Sequence, residues 1–300
     1  MNNPLAIEIH QLHKSYGSVK ALRGVDLSVQ RGEIFGFLGP NGAGKTTTIR
    51  CLLDLIRPNS GEVRVLGIDP QKDPLGVRRR VGYLPGELHI EDNLSVEGAL
   101  RFFNRLRGDH TDWAYVRQLA DRIDLDLKMP VKNLSKGNKQ KVGVIQALMH
   151  RPELLLLDEP TFGLDPLVQQ EVLALVVKAR QDGATVFFSS HILSEVEAIA
   201  ERVGIIRLGV VVEVAETATL IQRALRRTRV RFHQPVDLQA LLALPGVKLL
   251  KQESPVVLEL QVVGDMDGFI KALAGYPVQD FESERPSLEE IFLAYYERKG

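Results

Sequence analysis

Apolar and polar residues alternate near the start of the chain, and short, wholly apolar runs follow. The alternating stretches predict short antiparallel strands at Ala6–His10, Val19–Leu22 and Val25–Val29. The later apolar runs predict buried strands, and apolar residues three and four positions apart predict helices between them. Because strands and helices alternate, the pattern predicts an α/β fold with a mostly parallel sheet.

The middle of the chain supplies most of the predicted elements. The predicted strands are Ile34–Leu38, Glu62–Leu66, Leu154–Leu157, Thr185–Ser189 and Val203–Leu208. The predicted helices are Thr46–Leu55, Val96–Leu106, Tyr115–Ile123, Pro166–Arg180 and Leu193–Ala200. Since the pattern is helical from about Leu94 to His150, we expect a helical subdomain at about residues 87–150.

The pattern changes again after about Leu220. It predicts strands at Arg229–Phe232, Val247–Lys251, Val256–Val263 and Val278–Glu284, with helices at Leu238–Leu244, Met266–Leu273 and Ser287–Glu297. The last helix begins with a capping box formed by Ser287 and Glu290. The order β-α-β-β-α-β resembles a split ferredoxin-like domain. We therefore expect two domains, residues 1–219 and a small α+β accessory domain at residues 220–300.

Composition narrows the function classes. Lys+Arg 38 balances Asp+Glu 38, so no overall field attracts nucleic acid, and no nucleic-acid partner is expected. No signal peptide and no apolar stretch of roughly 20 residues is found, which predicts a soluble chain. The single cysteine, Cys51, fits a reducing compartment and is expected to be a buried structural thiol.

A glycine-rich segment lies between the strand Ile34–Leu38 and the helix that follows it. Its sequence, Gly39-Pro40-Asn41-Gly42-Ala43-Gly44-Lys45-Thr46, fits the phosphate-binding loop pattern. The glycines let backbone N–H groups turn towards a β-phosphate, and the following helix directs its positive dipole end at the anion. Lys45 is predicted to reach the β- and γ-phosphates of ATP, and the Thr46 hydroxyl to bind Mg²⁺.

Two acidic residues, Asp158 and Glu159, directly follow the apolar run Leu154–Leu157. Strand ends in a doubly wound sheet aim side chains at the crevice where ligands bind. Asp158 is therefore predicted to hold Mg²⁺ opposite Thr46, and Glu159 to orient or deprotonate the attacking water. Two such carboxylates alone favour this role over a solvated strand end only modestly, and the phosphate-binding loop strengthens the interpretation.

Four further motifs stand in order around these residues. They are Lys14-Ser15-Tyr16-Gly17, Leu134-Ser135-Lys136-Gly137-Asn138, Gly163-Leu164-Asp165, and His191 after Phe187-Phe188-Ser189-Ser190. They resemble the adenine-stacking aromatic, the signature, the D-loop and the switch histidine of ABC ATPases. The matched stretch covers about residues 7–215. The resemblance implies a P-loop ABC-type nucleotide-binding domain, with an antiparallel β subdomain and a helical subdomain beside its mostly parallel sheet.

The resemblance also implies residue roles. Tyr16 and Thr47 would contact ATP together with the phosphate-binding loop, and His191 would assist Glu159 in catalysis. Asp165 belongs to the D-loop. The signature residues Ser135, Gly137 and Asn138 would contact the γ-phosphate of ATP held by a second subunit, and Ser135 is also expected to be a helix N-cap. One loop and one signature per chain imply a dimer of such subunits, expected to be a homodimer.

Two motifs, the signature and the Q-loop, depart from the common family pattern. Lys136 and Asn138 stand where the signature commonly has Gly and Gln, but Asn138 keeps an amide and Lys136 adds positive charge, so we expect an active site. Gly86 stands where a glutamine often lies in the Q-loop. Whether the next residue, Glu87, substitutes for that glutamine is left open.

These departures, together with the tail Pro286-Ser287-Leu288-Glu289-Glu290-Ile291-Phe292, resemble the ATP-binding subunits of ABC-2-type exporters, including drug- and antibiotic-resistance pumps. The resemblance implies an Mg-dependent ATPase that powers a separate transmembrane permease by ATP-driven dimer closure. We then expect a cytoplasmic protein, peripheral on the inner face of the cell membrane.

Two other functions are less consistent with the sequence. A soluble ABC ATPase acting on ribosomes or DNA is disfavoured, because the chain has one cassette, no heptad run and no basic tract. An inactive regulatory ABC protein is disfavoured because Lys45, Asp158, Glu159 and His191 are all present.

Overall fold

The computed structural model describes residues 4–223, 226–262 and 266–284. The chain divides into two compact units, Met1–Ala215 and Glu216–Gly300. The predicted helix Ser287–Glu297, its capping box and the tail from Pro286 lie outside the described residues.

The first unit contains strands and helices in alternation. The strands are β1 Leu5–Tyr16, β2 Val19–Gln30, β3 Ile34–Leu38, β4 Ser60–Val65, β5 Val81–Leu84, β6 Leu154–Asp158, β7 Thr185–Ser190, β8 Arg202–Arg207 and β9 Val210–Glu216, which ends at the boundary. The helices are α1 Lys45–Leu52, α2 Pro74–Arg80, α3 Val96–Leu106, α4 Trp113–Arg122, α5 Lys136–Leu148, α6 Pro166–Gln181 and α7 Leu193–Ile199, with a 3₁₀ turn at Val131–Asn133.

The central sheet has the strand order β5-β6-β7-β3-β8-β9. The pairs β5–β6, β6–β7, β7–β3 and β3–β8 are parallel, so the carboxyl ends of these strands meet at one edge. Strand β6 is wholly buried, as expected for a strand covered on both faces. Phe35 and Phe187 stack on neighbouring strands with ring centroids 5.8 Å apart. The edge after β3 and β6 receives the glycine-rich loop and the two acidic residues.

A second, antiparallel sheet has the order β2-β1-β4. Its apolar residues share a buried core with helix α1 and the central sheet, through contacts that include Ile7, Val25, Ile49 and Phe187. The sequence predicted two short strands where β2 is continuous. Gly24, with φ of 86°, lies where the pairing with β1 shifts register, so the chain passes through a bulge instead of a break.

Other boundaries differ from the predictions for tertiary or local reasons. Helix α1 ends at Leu52 and not at Leu55, because Asp54 adopts a left-handed φ of 49° that terminates the helix.

Strand β5 was not predicted. It is only four residues long, and a Cβ at Gly82 would lie 2.1 Å from the Ala147 carbonyl oxygen, so packing against α5 sets its place.

The second unit contains α8 Thr217–Arg223, β10 Arg226–Phe232, α9 Leu238–Leu242, β11 Val247–Ser254, β12 Val257–Val262, α10 Asp267–Leu273 and β13 Val278–Glu284. Its sheet has the order β11-β12-β10-β13, and every neighbouring pair is antiparallel. Alternate residues of β10, namely Thr228, Val230 and Phe232, are buried. The predicted α/β fold with a mostly parallel sheet, an antiparallel β sheet and a small α+β part is confirmed.

Candidate functional site

The glycine-rich loop connects β3 to α1 at the carboxyl edge of the central sheet. A Cβ at Gly39 would lie 2.5 Å from the Ile206 carbonyl oxygen, so only glycine fits there. Gly44 has φ of 115°, and a Cβ there would lie 2.8 Å from the Ala21 carbonyl oxygen. The loop therefore passes so close to the backbone of strand β8 and of Ala21 that glycine is required at these two positions. Helix α1 begins directly after the loop.

Lys45 lies at the start of α1 with 5% of its side chain exposed. Its Nζ donates to the Gly39 carbonyl oxygen at 2.5 Å and lies 3.0 Å from Glu159 Oε1. The cavity around this ammonium is lined by Ala21, Pro40, Asn41, Gly42, Gly44, Lys45, Thr46, Thr47 and Glu159. The structure thus brings most of the predicted loop residues together with Glu159. Gly39 and Ala43 do not line this cavity, and Ala43 is buried, at 2% exposure.

Asp158 ends strand β6 and is 1% exposed. Its Oδ1 accepts a hydrogen bond from Ser189 Oγ at 2.6 Å, while its buried Oδ2 has no hydrogen-bond partner among the described residues. A buried carboxylate oxygen without a donor is costly unless a cation or donor meets it. A Cβ at Gly86 would lie 3.4 Å from this Oδ2, so the predicted Q-loop position adjoins Asp158.

These residues fit a Mg²⁺ ion held largely by oxygen atoms of bound phosphates. Within the described residues, no group of three or more His, Cys, Asp or Glu side chains could hold a metal by itself. Mg²⁺ is commonly bound through one or two carboxylates together with substrate phosphates and water, so a protein cage is not required. Asp158 Oδ2, which has no hydrogen-bond partner among the described residues, and the Thr46 hydroxyl, which lines the cavity, could bind the ion in this way.

Glu159 is held between two cationic or donor groups and has an unusual backbone. Its Oε2 lies 2.6 Å from His191 Nδ1, in addition to the Lys45 contact of Oε1. Its φ of 52° is left-handed, which is uncommon for a residue with a side chain. Its N–H donates to Ser189 Oγ at 3.1 Å, and its carbonyl oxygen accepts from Gln140 Nε2 at 2.9 Å.

His191 follows β7 and is exposed, with its ring centroid 6.5 Å from that of Phe162. A hydrogen-bonded cluster lies beneath it. Glu195, 5% exposed on α7, accepts from Ser190 Oγ at 2.7 Å and from the Thr161 hydroxyl. This carboxylate links the segment before His191 to the segment after Glu159.

The signature residues lie at the start of α5. The predicted N-cap is confirmed, because Ser135 Oγ accepts from the Asn138 N–H at 3.1 Å. A Cβ at Gly137 would lie 2.8 Å from the Gly163 carbonyl oxygen, so the signature packs closely on the D-loop. Lys136 Nζ lies 4.2 Å from the centroid of the Phe162 ring. The described signature residues are not part of the lining of the Lys45 cavity.

The remaining predicted residues lie at the periphery. Asp165 is the N-cap of α6, accepting from the Val168 N–H at 3.1 Å. Tyr16 ends β1 with 48% of its surface exposed, and Lys14 Nζ lies 5.3 Å from its ring centroid. Glu87 is exposed beyond β5. An exposed aromatic ring at Tyr16 is available for stacking.

Sequence reasoning missed three residues that organise the site, Gln140, Ser189 and Glu195. A signal existed for Ser189, because it directly precedes Ser190 and His191 in the quoted motif. Gln140 lies five positions after Ser135 and Glu195 four positions after His191, but neither spacing indicates a contact in advance. Their partners, the Glu159 carbonyl oxygen for Gln140 and the Thr161 and Ser190 hydroxyls for Glu195, become neighbours only in the folded chain.

Comparison with known proteins identifies the family. Residues 22–162 match the family model of the ABC transporter, and residues 217–296 match that of the C-terminal domain of DrrA1-3-like ATP-binding proteins. The daunorubicin resistance ATP-binding protein DrrA3 of Streptomyces coeruleorubidus is 34% identical over 96% of this chain and 95% of its own length. The chain belongs to the ATP-binding proteins of the ABC transporter family.

Other relatives of this ABC ATP-binding protein agree. The bacitracin transport ATP-binding protein BcrA of Bacillus licheniformis is 40% identical over 69% of this chain and 68% of its own length. A solved ATP-binding subunit of an ABC transporter aligns with a TM-score of 0.66 at 30% identity, covering 72% of this chain and 91% of that one. The dimeric cassette MJ0796 bound to ADP and phosphate aligns with a TM-score of 0.64 at 23% identity, over 70% of this chain and 98% of that one, a likeness in fold.

The described residues contain no helix that is both long enough and apolar enough to cross a membrane.

Proposed function

We propose that this ABC ATP-binding protein hydrolyses Mg-ATP and drives export through a separate membrane permease. The observation that carries the proposal is the convergence of Lys45, Glu159 and His191 beside the unpartnered Oδ2 of Asp158. A phosphate-binding loop, a candidate metal ligand and a candidate base at one sheet edge are the parts that phosphoryl transfer from ATP to water requires.

ATP binding rests on the loop and the start of α1. Backbone N–H groups of the loop and the Lys45 ammonium would neutralise the β- and γ-phosphates, aided by the helix dipole. Binding would shift the Lys45 ammonium from Glu159 and the Gly39 carbonyl towards phosphate oxygen. The exposed ring of Tyr16 would stack on adenine.

Hydrolysis rests on Glu159 and His191. A Mg²⁺ ion held by Thr46 and Asp158 would supply charge neutralisation at the phosphates. Once Lys45 is engaged by phosphate, the Glu159 carboxylate is available to orient the attacking water and accept its proton. His191, bonded to Glu159 Oε2, would hold that carboxylate in place and stabilise charge on the γ-phosphate.

A second subunit would complete each site. Ser135, Gly137 and Asn138 lie at the N-terminus of α5 on this chain, apart from its own Lys45 cavity. This helix start would therefore contact the γ-phosphate of ATP bound to a second copy, and the D-loop residue Asp165 would lie at the same interface. Two ATP molecules would close a head-to-tail homodimer.

Coupling to a membrane permease is supported by the relatives. Their names describe transport of bacitracin and resistance to daunorubicin, and the match to the DrrA-like C-terminal domain extends the likeness to residues 217–296. Closure would move the helical subdomain, about residues 87–150, against an ABC-2-type permease at the inner membrane face. Residues 220–300 would form an accessory domain, for dimerisation or regulation.

The test is reconstitution of the chain in membrane vesicles together with a candidate ABC-2-type permease. ATP hydrolysis that depends on Mg²⁺, together with ATP-dependent accumulation of an anthracycline or a peptide antibiotic in inside-out vesicles, is expected. Matched vesicles without the chain serve as the control. Hydrolysis without transport of either compound class would overturn the export proposal, and absence of hydrolysis would overturn the ATPase proposal itself.

A further inference from the structure

The backbone of Glu159 is held at both of its polar groups by side chains outside its own segment. Ser189 Oγ accepts from the Glu159 N–H at 3.1 Å, and Gln140 Nε2 donates to the Glu159 carbonyl oxygen at 2.9 Å. The same Nε2 lies 3.2 Å from the Pro160 carbonyl oxygen. Gln140 is 6% exposed, so these bonds form largely away from competing water.

These bonds matter because Glu159 has a left-handed φ of 52°. Such a backbone persists in a residue with a side chain only when its surroundings fix it. Backbone bonds also reach Glu159, because its N–H lies 3.2 Å from the Ser189 carbonyl oxygen and its own carbonyl oxygen accepts from the Phe162 N–H at 3.1 Å. Loss of the Gln140 amide would leave these two bonds in place but remove a buried side-chain donor from the Glu159 and Pro160 carbonyl oxygens, so the peptide could relax. Relaxation would turn the Glu159 carboxylate away from its position between Lys45 and His191.

The donor lies on the helix that begins at the signature. Gln140 and Ser135 belong to one rigid helical start, and Gly137 of the same turn packs on the Gly163 carbonyl. Lys136 adds a contact with the Phe162 ring. The signature helix and the segment from Glu159 to Gly163 are therefore joined by buried and surface contacts, of which the Gln140 amide is the one that reaches Glu159 directly.

We propose that Gln140 is a positioning residue for ATP hydrolysis, which fixes the backbone of Glu159 from the signature helix of the same chain. This inference rests on the proposed ATPase function. It assigns no contact between Gln140 and ATP. The amide acts through Glu159, so its loss affects turnover and leaves the phosphate contacts of the loop intact.

The first experiment compares Gln140→Leu with the wild-type chain in ATP binding and steady-state hydrolysis. We expect kcat to fall about tenfold or more, as for other displacements of a reacting group, with an unchanged dissociation constant for ATP. Lys141→Met is the matched control. It removes a buried side-chain bond to the Asp124 carbonyl oxygen from the adjacent position of the same helix, and it should retain the wild-type kcat.

The second experiment uses Gln140→Glu, which keeps the shape of the side chain. An ionised carboxylate cannot donate to two carbonyl oxygens, whereas a protonated one can donate to one of them. We therefore expect kcat relative to wild type to rise as the pH is lowered from about 8 to about 6, as the carboxyl group protonates. A purely structural role would not produce this pH dependence.

Two outcomes would overturn the inference. One is a wild-type kcat in Gln140→Leu, and the other is a parallel loss of ATP affinity and kcat, with no recovery of Gln140→Glu at lower pH. Absence of turnover in the wild-type chain would count against the proposed function instead, so the two failures are distinguishable.

Discussion

Lys45 and Glu159 form an ion pair in the cavity beside the glycine-rich loop, with Nζ 3.0 Å from Oε1. The two residues come from different elements, the start of α1 and the segment after β6, and meet at the carboxyl edge of the sheet. An ion pair of this kind keeps both charges compensated, and a phosphate group would compete with Glu159 for the ammonium. Under the proposed function, phosphate binding would therefore release the candidate catalytic carboxylate.

Glu159→Gln tests the carboxylate. We expect kcat to fall about 100-fold or more, because the amide cannot accept the proton of the attacking water, while ATP binding persists. Because ATP stays bound without being hydrolysed, we also expect this variant to accumulate as an ATP-bound dimer. Hydrolysis assays would measure the loss of turnover, and gel filtration with Mg-ATP would detect the dimer. Glu171→Gln, a surface carboxylate paired with Arg122, is the control and should hydrolyse ATP at the wild-type rate. Undiminished turnover in Glu159→Gln would contradict its role.

Lys45→Ala tests the phosphate contact. Removing a charged partner from a desolvated phosphate contact is expected to weaken ATP binding about 30-fold or more. Equilibrium titration with a fluorescent ATP analogue would measure the change. The exposed Lys178, paired with Asp182, provides the control Lys178→Ala. Normal Mg-ATP affinity in Lys45→Ala would contradict the assignment.

Ser189→Ala tests the support of the acidic pair. The substitution removes a donor to Asp158 Oδ1 and an acceptor of the Glu159 N–H, so we expect lower kcat and a loss of about 1–3 kcal/mol of stability. Urea denaturation and ATPase assays measure both. The control is Ser95→Ala, which removes the side-chain hydrogen bond that caps α3, accepted by Ser95 Oγ from the Gly98 N–H. This variant should have a lower free energy of unfolding but the wild-type kcat. Equal kcat in the two variants would argue against a role for Ser189.

His150 makes stability depend on pH. Burial, and then the charge of Arg107, lowers the pKa of His150 from 6.5 to about 4. Between pH 6.5 and about pH 4, His150 is protonated in the unfolded chain but neutral in the folded chain. The free energy of unfolding therefore decreases as the pH falls through this range. Urea denaturation at several pH values should show a shallower dependence in His150→Gln. The exposed His89 offers a control, since His89→Gln should keep the wild-type slope.

Cys51 is expected to be unreactive in the native protein. It is 2% exposed, and burial raises the pKa of its thiol to about 11. Little thiolate is present near neutral pH, and the thiolate is the reactive form. Labelling with a thiol reagent should be slow until denaturant is added, when one group per chain reacts. Rapid labelling of the folded chain would contradict the prediction.

Local sequence determined the parts of the site that are contiguous. The glycine-rich loop, the apolar strand ending in Asp158 and Glu159, and the N-cap at Ser135 were all predicted because turn chemistry, periodicity and capping act within a few residues. The buried thiol of Cys51 was predicted from its apolar neighbours and is confirmed. Ordered motifs also indicated the ABC family, which the comparisons establish.

Tertiary structure alone decided how these parts meet. The position of strand β5 depends on its packing against α5, and the continuity of β2 depends on a bulge. Sequence periodicity indicates neither feature. The contacts of Gln140 with Glu159, and of Glu195 with Thr161 and Ser190, join positions 19, 34 and 5 residues apart. Hydrogen bonds of this kind depend on where two elements lie in space, and sequence periodicity specifies only which face of each element is buried. The sequence by itself therefore determined which chemical groups are present and the elements that carry them, and the fold decided which groups reach Glu159.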